Sequence, residues 1–134
     1  MLIATWNVNS IRTRLSQIID WINQVNPDVL CLQETKVIDD NFPVESFEQL
    51  GYSLEFYGQK SYNGVAIISK IKPENVKKGF NGCTDSNQNS EIFLDQKRLI
   101  SADINGIKII NVYVPNGSSL ESSKFEYKIN WLNC

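Results

Sequence analysis

The chain has 134 residues, 42% of them apolar and 21% charged. That is enough for one domain with a real core and ordinary for a globular protein. Its net charge of −2, from 13 basic and 15 acidic residues, argues against broad coating of nucleic acid, and the lack of histidine removes His general bases, His zinc ligands and Ser-His-Asp triads.

No apolar run approaches the roughly 18–20 residues that span a bilayer. The start, Met1–Asn9, carries neither a basic leader nor a small-residue cleavage site. The expectation is therefore a cytoplasmic protein with no membrane segment. The three cysteines, Cys31, Cys83 and Cys134, fit no zinc spacing, and Cys31 reads as a buried, inert thiol within an apolar strand.

Leu2–Thr5 reads as a buried strand, and Asn7–Ser10 as a polar turn whose Ser10 caps the next element. Ile11, Leu15, Ile18, Ile19, Ile22 and Val25 recur at helical spacing, and Asn26-Pro27 stops that helix. Val29–Leu32 is a short apolar strand, so strand, helix, strand suggests a right-handed βαβ unit. Asp39–Leu50 is weakly helical, with Phe42, Phe47 and Leu50 on one side and Gly51 at its end. Tyr52–Tyr57 and Val65–Ser69 read as neighbouring strands around the polar turn Gln59–Gly64, and Lys72-Pro73 opens a further extended piece. Asn81–Ser90 reads as a loop. Arg98–Ile104 and Ile107–Val114 flank Asn105-Gly106, a dipeptide that favours a type I′ hairpin turn. Ser123–Leu132 reads as a helix with Phe125, Ile129 and Leu132 on one face. The whole is a strand-rich α/β pattern, consistent with layered sheets and outer helices.

Polar residues that close apolar strands are the candidates for chemistry. Glu34 follows Val29–Leu32, and sites in α/β folds gather at the carboxyl ends of strands. Its carboxylate is a hard ligand suited to Mg²⁺ or Mn²⁺; the alternative is an exposed carboxylate, or one paired with Lys36. Asn7 closes the first strand in the same way, as a metal or phosphate partner or as a plain turn residue. Trp6 reads as core before it reads as a base-stacking platform. Tyr113 near a strand end is either a phosphate or water contact or a core ring with a wet tip. Asn116 is a turn residue at the same rim, Arg98 a phosphate or carboxylate partner, and Asn63-Gly64 a turn where backbone comes close to a ligand. The lysines between Lys60 and Lys78 read as a solvated face or as a phosphate-backbone surface.

Together, Trp6-Asn7-Val8-Asn9, Leu32-Gln33-Glu34-Thr35-Lys36, Tyr62-Asn63-Gly64-Val65 and Asn111-Val112-Tyr113-Val114-Pro115-Asn116-Gly117 resemble the exonuclease III family of DNA-repair nucleases. That family sits in the wider group that includes apurinic/apyrimidinic endonucleases and DNase I. The resemblance covers essentially this whole chain and about the first half of the family's domain. It implies an α/β fold, the N-terminal half of a four-layered α/β/β/α sandwich of DNase I type, with residues 1–134 as a partial domain.

The resemblance further implies that Glu34 holds Mg²⁺ (Mn²⁺ as the alternative ion), with Asn7 beside it at the metal and phosphate. It implies that Tyr113 and Asn116 meet the scissile phosphate, with Arg98 and Asn63 at the substrate rim. Gln96-Lys97-Arg98 stands where the family often has Glu-Gly-Arg, which alters local DNA contacts. The family's later Gly-Asp-Phe-Asn and Ser-Asp-His segments have no counterpart here, and Asp85, Asp95 and Asp103 do not match them. The implied activity is a Mg²⁺-dependent 3′ to 5′ exonuclease and abasic-site endonuclease, incomplete and inactive as this chain alone. The implied partner is duplex DNA with an abasic site or a 3′ end. The chain is expected to supply mainly one sheet, whose uncovered face favours self-association. The competing readings are a noncatalytic DNA-binding or structural remnant, and a phosphodiesterase of the same superfamily acting on a non-DNA substrate.

Overall fold

The computed structural model describes residues 1–80, 93 and 95–133. The expected Asn81–Ser90 loop, Cys83, Asp85 and Cys134 lie outside the described residues.

The first strand, β1 (Ile3–Asn7), feeds helix α1 (Ile11–Val25) and then β2 (Val29–Gln33), which pairs parallel to β1. The helix forms where the spacing predicts it. Ser10 Oγ accepts from the Thr13 amide at its start, and Asn26 closes it in the left-handed conformation. Ile11, Ile18 and Ile22 make its buried stripe. The segment expected as one weak helix divides around Pro43 into a 3-10 turn, Asp39–Asn41, and a short helix α2 (Val44–Glu48). Two antiparallel strands follow, β3 (Ser53–Tyr57) and β4 (Val65–Ser69), and β4 also pairs with β2. The first sheet is thus mixed, in the order β1-β2-β4-β3.

A second, antiparallel sheet contains β5 (Glu74–Lys78), β6 (Leu99–Ile104) and β7 (Ile107–Val112) in that order. Ile104 and Ile107 are register partners, and Asn105 and Gly106 both have positive φ, 50° and 75°, as a two-residue type I′ turn requires. Helix α3 (Ser123–Leu132) is the last element among the described residues.

Alternation along β2 and β4 separates two cores. Leu30, Leu32, Ala66 and Ile68 face α1, together with Phe42, Phe47 and Tyr52. Val29, Cys31, Val65 and Ile67 face Ile100, Ala102, Ile104 and Ile109 of the second sheet. The order of layers is helix, sheet, sheet. This corrects the expectation that the chain supplies mainly one sheet: both faces of the first sheet are covered, because the hairpin β6-β7 packs on the face opposite α1. Trp6 is half-buried and meets Trp21 edge-on at 5.9 Å, so it is a core ring.

The inward face of α3 also departs from expectation. Ile129 and Leu132 are exposed, and the buried residue is Trp131. Trp131 meets Phe80 at 5.3 Å and Tyr127 meets Phe93 at 5.6 Å. Rings contributed from outside the helix, Phe80 and Phe93, draw the 127–131 side inward.

Candidate active site

Glu34 lies one residue past β2, and its backbone is in the left-handed region at φ 55°. Lys36 repeats that conformation at 54°. Such angles are uncommon for residues with side chains and persist where surroundings impose them. The surroundings here are explicit. Ser10 and Ile11 amides donate to the Glu34 and Thr35 carbonyls at 2.8 and 3.1 Å. Thr35 and Lys36 amides donate to the Gly64 and Asn63 carbonyls at 3.2 and 2.9 Å. The β1-α1 turn and the Asn63-Gly64 turn therefore grip the Glu34–Lys36 segment from two sides. Gly64 is required: its φ is +94°, and a Cβ there would sit 2.1 Å from Thr35 Oγ1.

The two turns bring together residues far apart in sequence. Asn7 Nδ2 donates to Glu34 Oε1 at 2.9 Å, and Asn7 Oδ1 accepts from the Asn9 amide at 3.2 Å. The Asn7 amide thus offers its NH₂, not its oxygen, to the carboxylate. Lys36 Nζ stands 3.1 Å from Glu34 Oε2 and also donates to Asn9 Oδ1. The Tyr113 hydroxyl bears on the same carboxylate. Burial alone would raise the Glu34 pKa; contacts with Asn7, Tyr113 and Lys36, and the Lys36 charge, outweigh it and hold the group below its ordinary value. Tyr113 moves the other way, raised by burial and by the neighbouring Glu34 charge against the opposing Arg98. Glu34 is therefore an anion at neutral pH, and Tyr113 a neutral hydroxyl.

Arg98 directly precedes β6, and its guanidinium stacks 4.5 Å over the Tyr113 ring. Its backbone oxygen accepts from the Tyr113 amide at 2.8 Å, and one guanidinium nitrogen donates back to the Tyr113 carbonyl at 3.1 Å. Gln96 Oε1 accepts from Arg98 Nε at 2.6 Å, which fixes the plane of the guanidinium. A cleft of about 620 Å³ opens beside this stack, lined among others by Asn63, Arg98, Tyr113, Asn116, Lys124 and Tyr127. Asn63 is buried, and its amide donates to Gln59 Oε1 at 3.1 Å. Asn116 is exposed, its Oδ1 accepting from the Ser118 amide at 3.0 Å.

Every sequence-predicted site residue falls into one of two adjoining groups: Asn7, Glu34 and Tyr113 at the carboxylate, and Asn63, Arg98, Tyr113 and Asn116 at the cleft. Tyr113 belongs to both. Lys36, weighed from the sequence as an ion-pair partner of Glu34, is that partner here, and Asn9, which sequence reasoning did not place at the carboxylate, accepts from the same ammonium. Cys31 lies between the sheets, and burial pushes its thiol up to about 11, so it is inert as expected. Lys70 pairs with Asp28 at the opposite end of β2, away from this site.

A Mg²⁺ ion is commonly held by one or two carboxylates, with water and phosphate completing the shell. Glu34 meets that minimal requirement, in a place that already draws a cation in the form of Lys36. Among the described residues no cluster of three or more His, Cys, Asp or Glu side chains gathers at any point.

Comparison with known proteins agrees with this arrangement. The profile of the endonuclease/exonuclease/phosphatase family matches residues 4–104. Exodeoxyribonuclease III of Haemophilus influenzae is 38% identical over 133 residues, covering 96% of this chain and 47% of that protein. An AP endonuclease from Archaeoglobus fulgidus superposes with a TM-score of 0.87 at 46% identity, covering 99% of this chain and 49% of that one. The 3′-5′ exonuclease of Neisseria meningitidis superposes with a TM-score of 0.88 at 41% identity, with the same coverages. The chain spans about half the length of the relatives it matches. With the match running from Ala4 in β1 to Ile104 at the end of β6, and the Glu34 site at the strand ends, the chain belongs to the endonuclease/exonuclease/phosphatase family.

Proposed function

We propose that this chain carries the first half of a divalent-cation-dependent phosphodiesterase centre acting on DNA, with exonuclease III type activity on a 3′ end and at an abasic site. The observation that carries the reading is the Glu34 carboxylate, ionised and held at a strand end by Asn7 and Lys36, with the Tyr113 hydroxyl bearing on it, beside a cleft that contains Arg98. The relatives' names supply the substrate class, and the cleft's Arg98 and Lys124 suit a polyanion.

In this reading Glu34 is the anionic ligand for Mg²⁺, with Mn²⁺ able to replace it, and Asn7 lies beside it to hold the carboxylate's orientation. The chemistry supplied by the bound ion is polarisation of the phosphate and stabilisation of the charge that develops on it. Tyr113 donates its neutral hydroxyl to a phosphate oxygen. Asn116 and Asn63 offer amides at the rim, and Arg98 neutralises the backbone charge while keeping the Tyr113 ring in place. Attack by water also needs a base within hydrogen-bond reach. The chain has no histidine, and Glu34 is committed to cations. We therefore expect no turnover from this polypeptide by itself.

We further propose that residues 1–134 are part of a four-layered α/β/β/α sandwich in which α3 belongs to the layer outside the second sheet, and that the protein works in the cytoplasm. The sparse ligand set also favours a second reading, a noncatalytic DNA-binding remnant. Incubation of the purified chain with an abasic duplex and Mg²⁺, beside a salt series of DNA binding, separates the two. Metal-dependent incision that appears when a second half is supplied, and is lost in Glu34→Ala, supports the enzyme. Binding without any cation response favours the remnant, and robust incision by the lone chain overturns the expected inactivity.

A further inference from the structure

Glu34 and Tyr113 directly follow strands of different sheets, β2 and β7, so their meeting depends on how the sheets are held against each other. Hydrophobic faces set that spacing loosely, because apolar contacts are not directional. One polar side chain crosses between the sheets at the right height. Asn111 on β7 is 2% exposed and faces the first sheet. Its Nδ2 donates to the Leu32 carbonyl at 2.9 Å and to the Ala66 carbonyl at 2.8 Å. Leu32 and Ala66 are register partners on β2 and β4. Its Oδ1 accepts from Gln33 Nε2 at 2.7 Å, and Gln33 Nε2 also donates to Thr5 Oγ1 on β1 at 2.9 Å. Both amide hydrogens and one oxygen lone pair are used, and a buried amide that loses such partners carries a desolvation penalty. The bonds thus tie one position of β7 to β1, β2 and β4 together.

The sequence offsets give this contact its meaning. Gln33 immediately precedes Glu34, and Asn111 precedes Tyr113 by two residues, which puts both side chains on the same side of the β7 line. We propose that Asn111, together with Gln33, is a positioning lock that sets where Tyr113 stands relative to Glu34 across the two sheets. This rests on the reading of Glu34 and Tyr113 as one site. Neither lock residue touches the cleft among its described lining residues, so the lock acts through the strand and not on a substrate.

The test reads the coupling between Tyr113 and Glu34 by the ¹³Cζ resonance of Tyr113, assigned with Tyr113→Phe. In the natural chain, Glu34→Gln is expected to shift that resonance. In an Asn111→Leu background the same substitution is expected to leave it unmoved, and in Gln33→Met, which removes a single arm of the lock, to move it less. An equal shift in the Asn111→Leu background overturns the lock. Where Asn111→Leu loses a cooperative melt, Gln33→Met decides, and an undiminished shift there overturns it. No shift on Glu34→Gln in the natural chain overturns the paired site itself, and the lock with it, an outcome distinct from failure of the lock alone.

Discussion

At Glu34 the chain accepts an unfavourable backbone conformation to aim a charge. The left-handed turns at Glu34 and Lys36 each cost on the order of 1 kcal/mol and are held by amides and carbonyls from two other turns. Gly64 is the residue on which that grip depends. Gly64→Ala is expected to destabilise by about 1–3 kcal/mol, since it combines a positive φ with a clash against Thr35. Urea melts would measure the loss, and a stability within a few tenths of a kcal/mol of the natural chain would contradict it. Asn7 supports the carboxylate without carrying charge. Asn7→Ala is expected to weaken Mn²⁺ binding by roughly 10-fold, as loss of an orienting partner does, and Glu34→Gln to weaken it more. Mn²⁺ titration followed by electron paramagnetic resonance reads both, and equal affinity in all three proteins would remove Glu34 from the cation site. Glu34 itself was legible in the sequence because a carboxylate directly after an apolar strand needs a partner. The role of Asn111 was not. Alternation places it on an inward face, but only the offset between two separate sheets decides which carbonyls it meets.

Elements were most legible where one periodicity runs long enough to dominate. Helix α1 and strands β2 and β4 follow their apolar patterns closely, because each buried face, one on α1 and two on β2 and β4, packs as a whole against a single layer. Ile18 is fully buried on α1. Ile18→Ala is expected to cost about 2–5 kcal/mol, the range for a truncated core aliphatic, and to lower the thermal midpoint of the entire chain together. A change confined to fraying of α1, with the sheet melting unaltered, would sink that expectation. The buried face of helix α3 differs from its apolar pattern because its packing partners, Phe80 and Phe93, come from elsewhere in the chain, so no pattern within ten residues can reveal them. Strand β2 also has chemistry at its other end. The Asp28 carboxyl is held below the ordinary aspartate range, chiefly by the Leu2 amide, with Lys70 adding to it against the effect of burial. A lowered folded pKa favours the ionised form in the native state. The resulting stability is present above the ordinary aspartate range and is lost as pH falls through the lower folded value. Asp28→Asn is therefore expected to flatten the acid limb of a stability profile below about pH 4, and an unchanged limb would show that the Leu2 and Lys70 contacts carry no linkage.

For the molecule as a whole, the two-sheet architecture moves the exposed apolar surface from a sheet face to sheet edges. Among the described residues β1 pairs only with β2, and β7 only with β6. These edges lie next to each other, with a groove of about 440 Å³ between them that includes Ile3, Thr5, Cys31 and Ile110. Ile3 is 44% exposed and Ile110 60%. The edge at β5 is different: it carries Glu74, Lys77 and Lys78 and a break in register, features that discourage strand addition. An apolar β1-β7 side, set against a charged and bulged β5 edge, predicts association through the β1-β7 side and not through β5. We expect the chain to sediment with a concentration-dependent mean mass. Ile3→Lys and Ile110→Lys are expected to restore the monomer, because each places a charge that pairing would have to desolvate. Charge reversal at the other edge, Lys77→Glu, is expected to leave the association as it was. A monomer at all concentrations would show that these edges do not support self-association. Suppression by Lys77→Glu as strong as by Ile110→Lys would show that β5, not the β1-β7 groove, is the surface that joins.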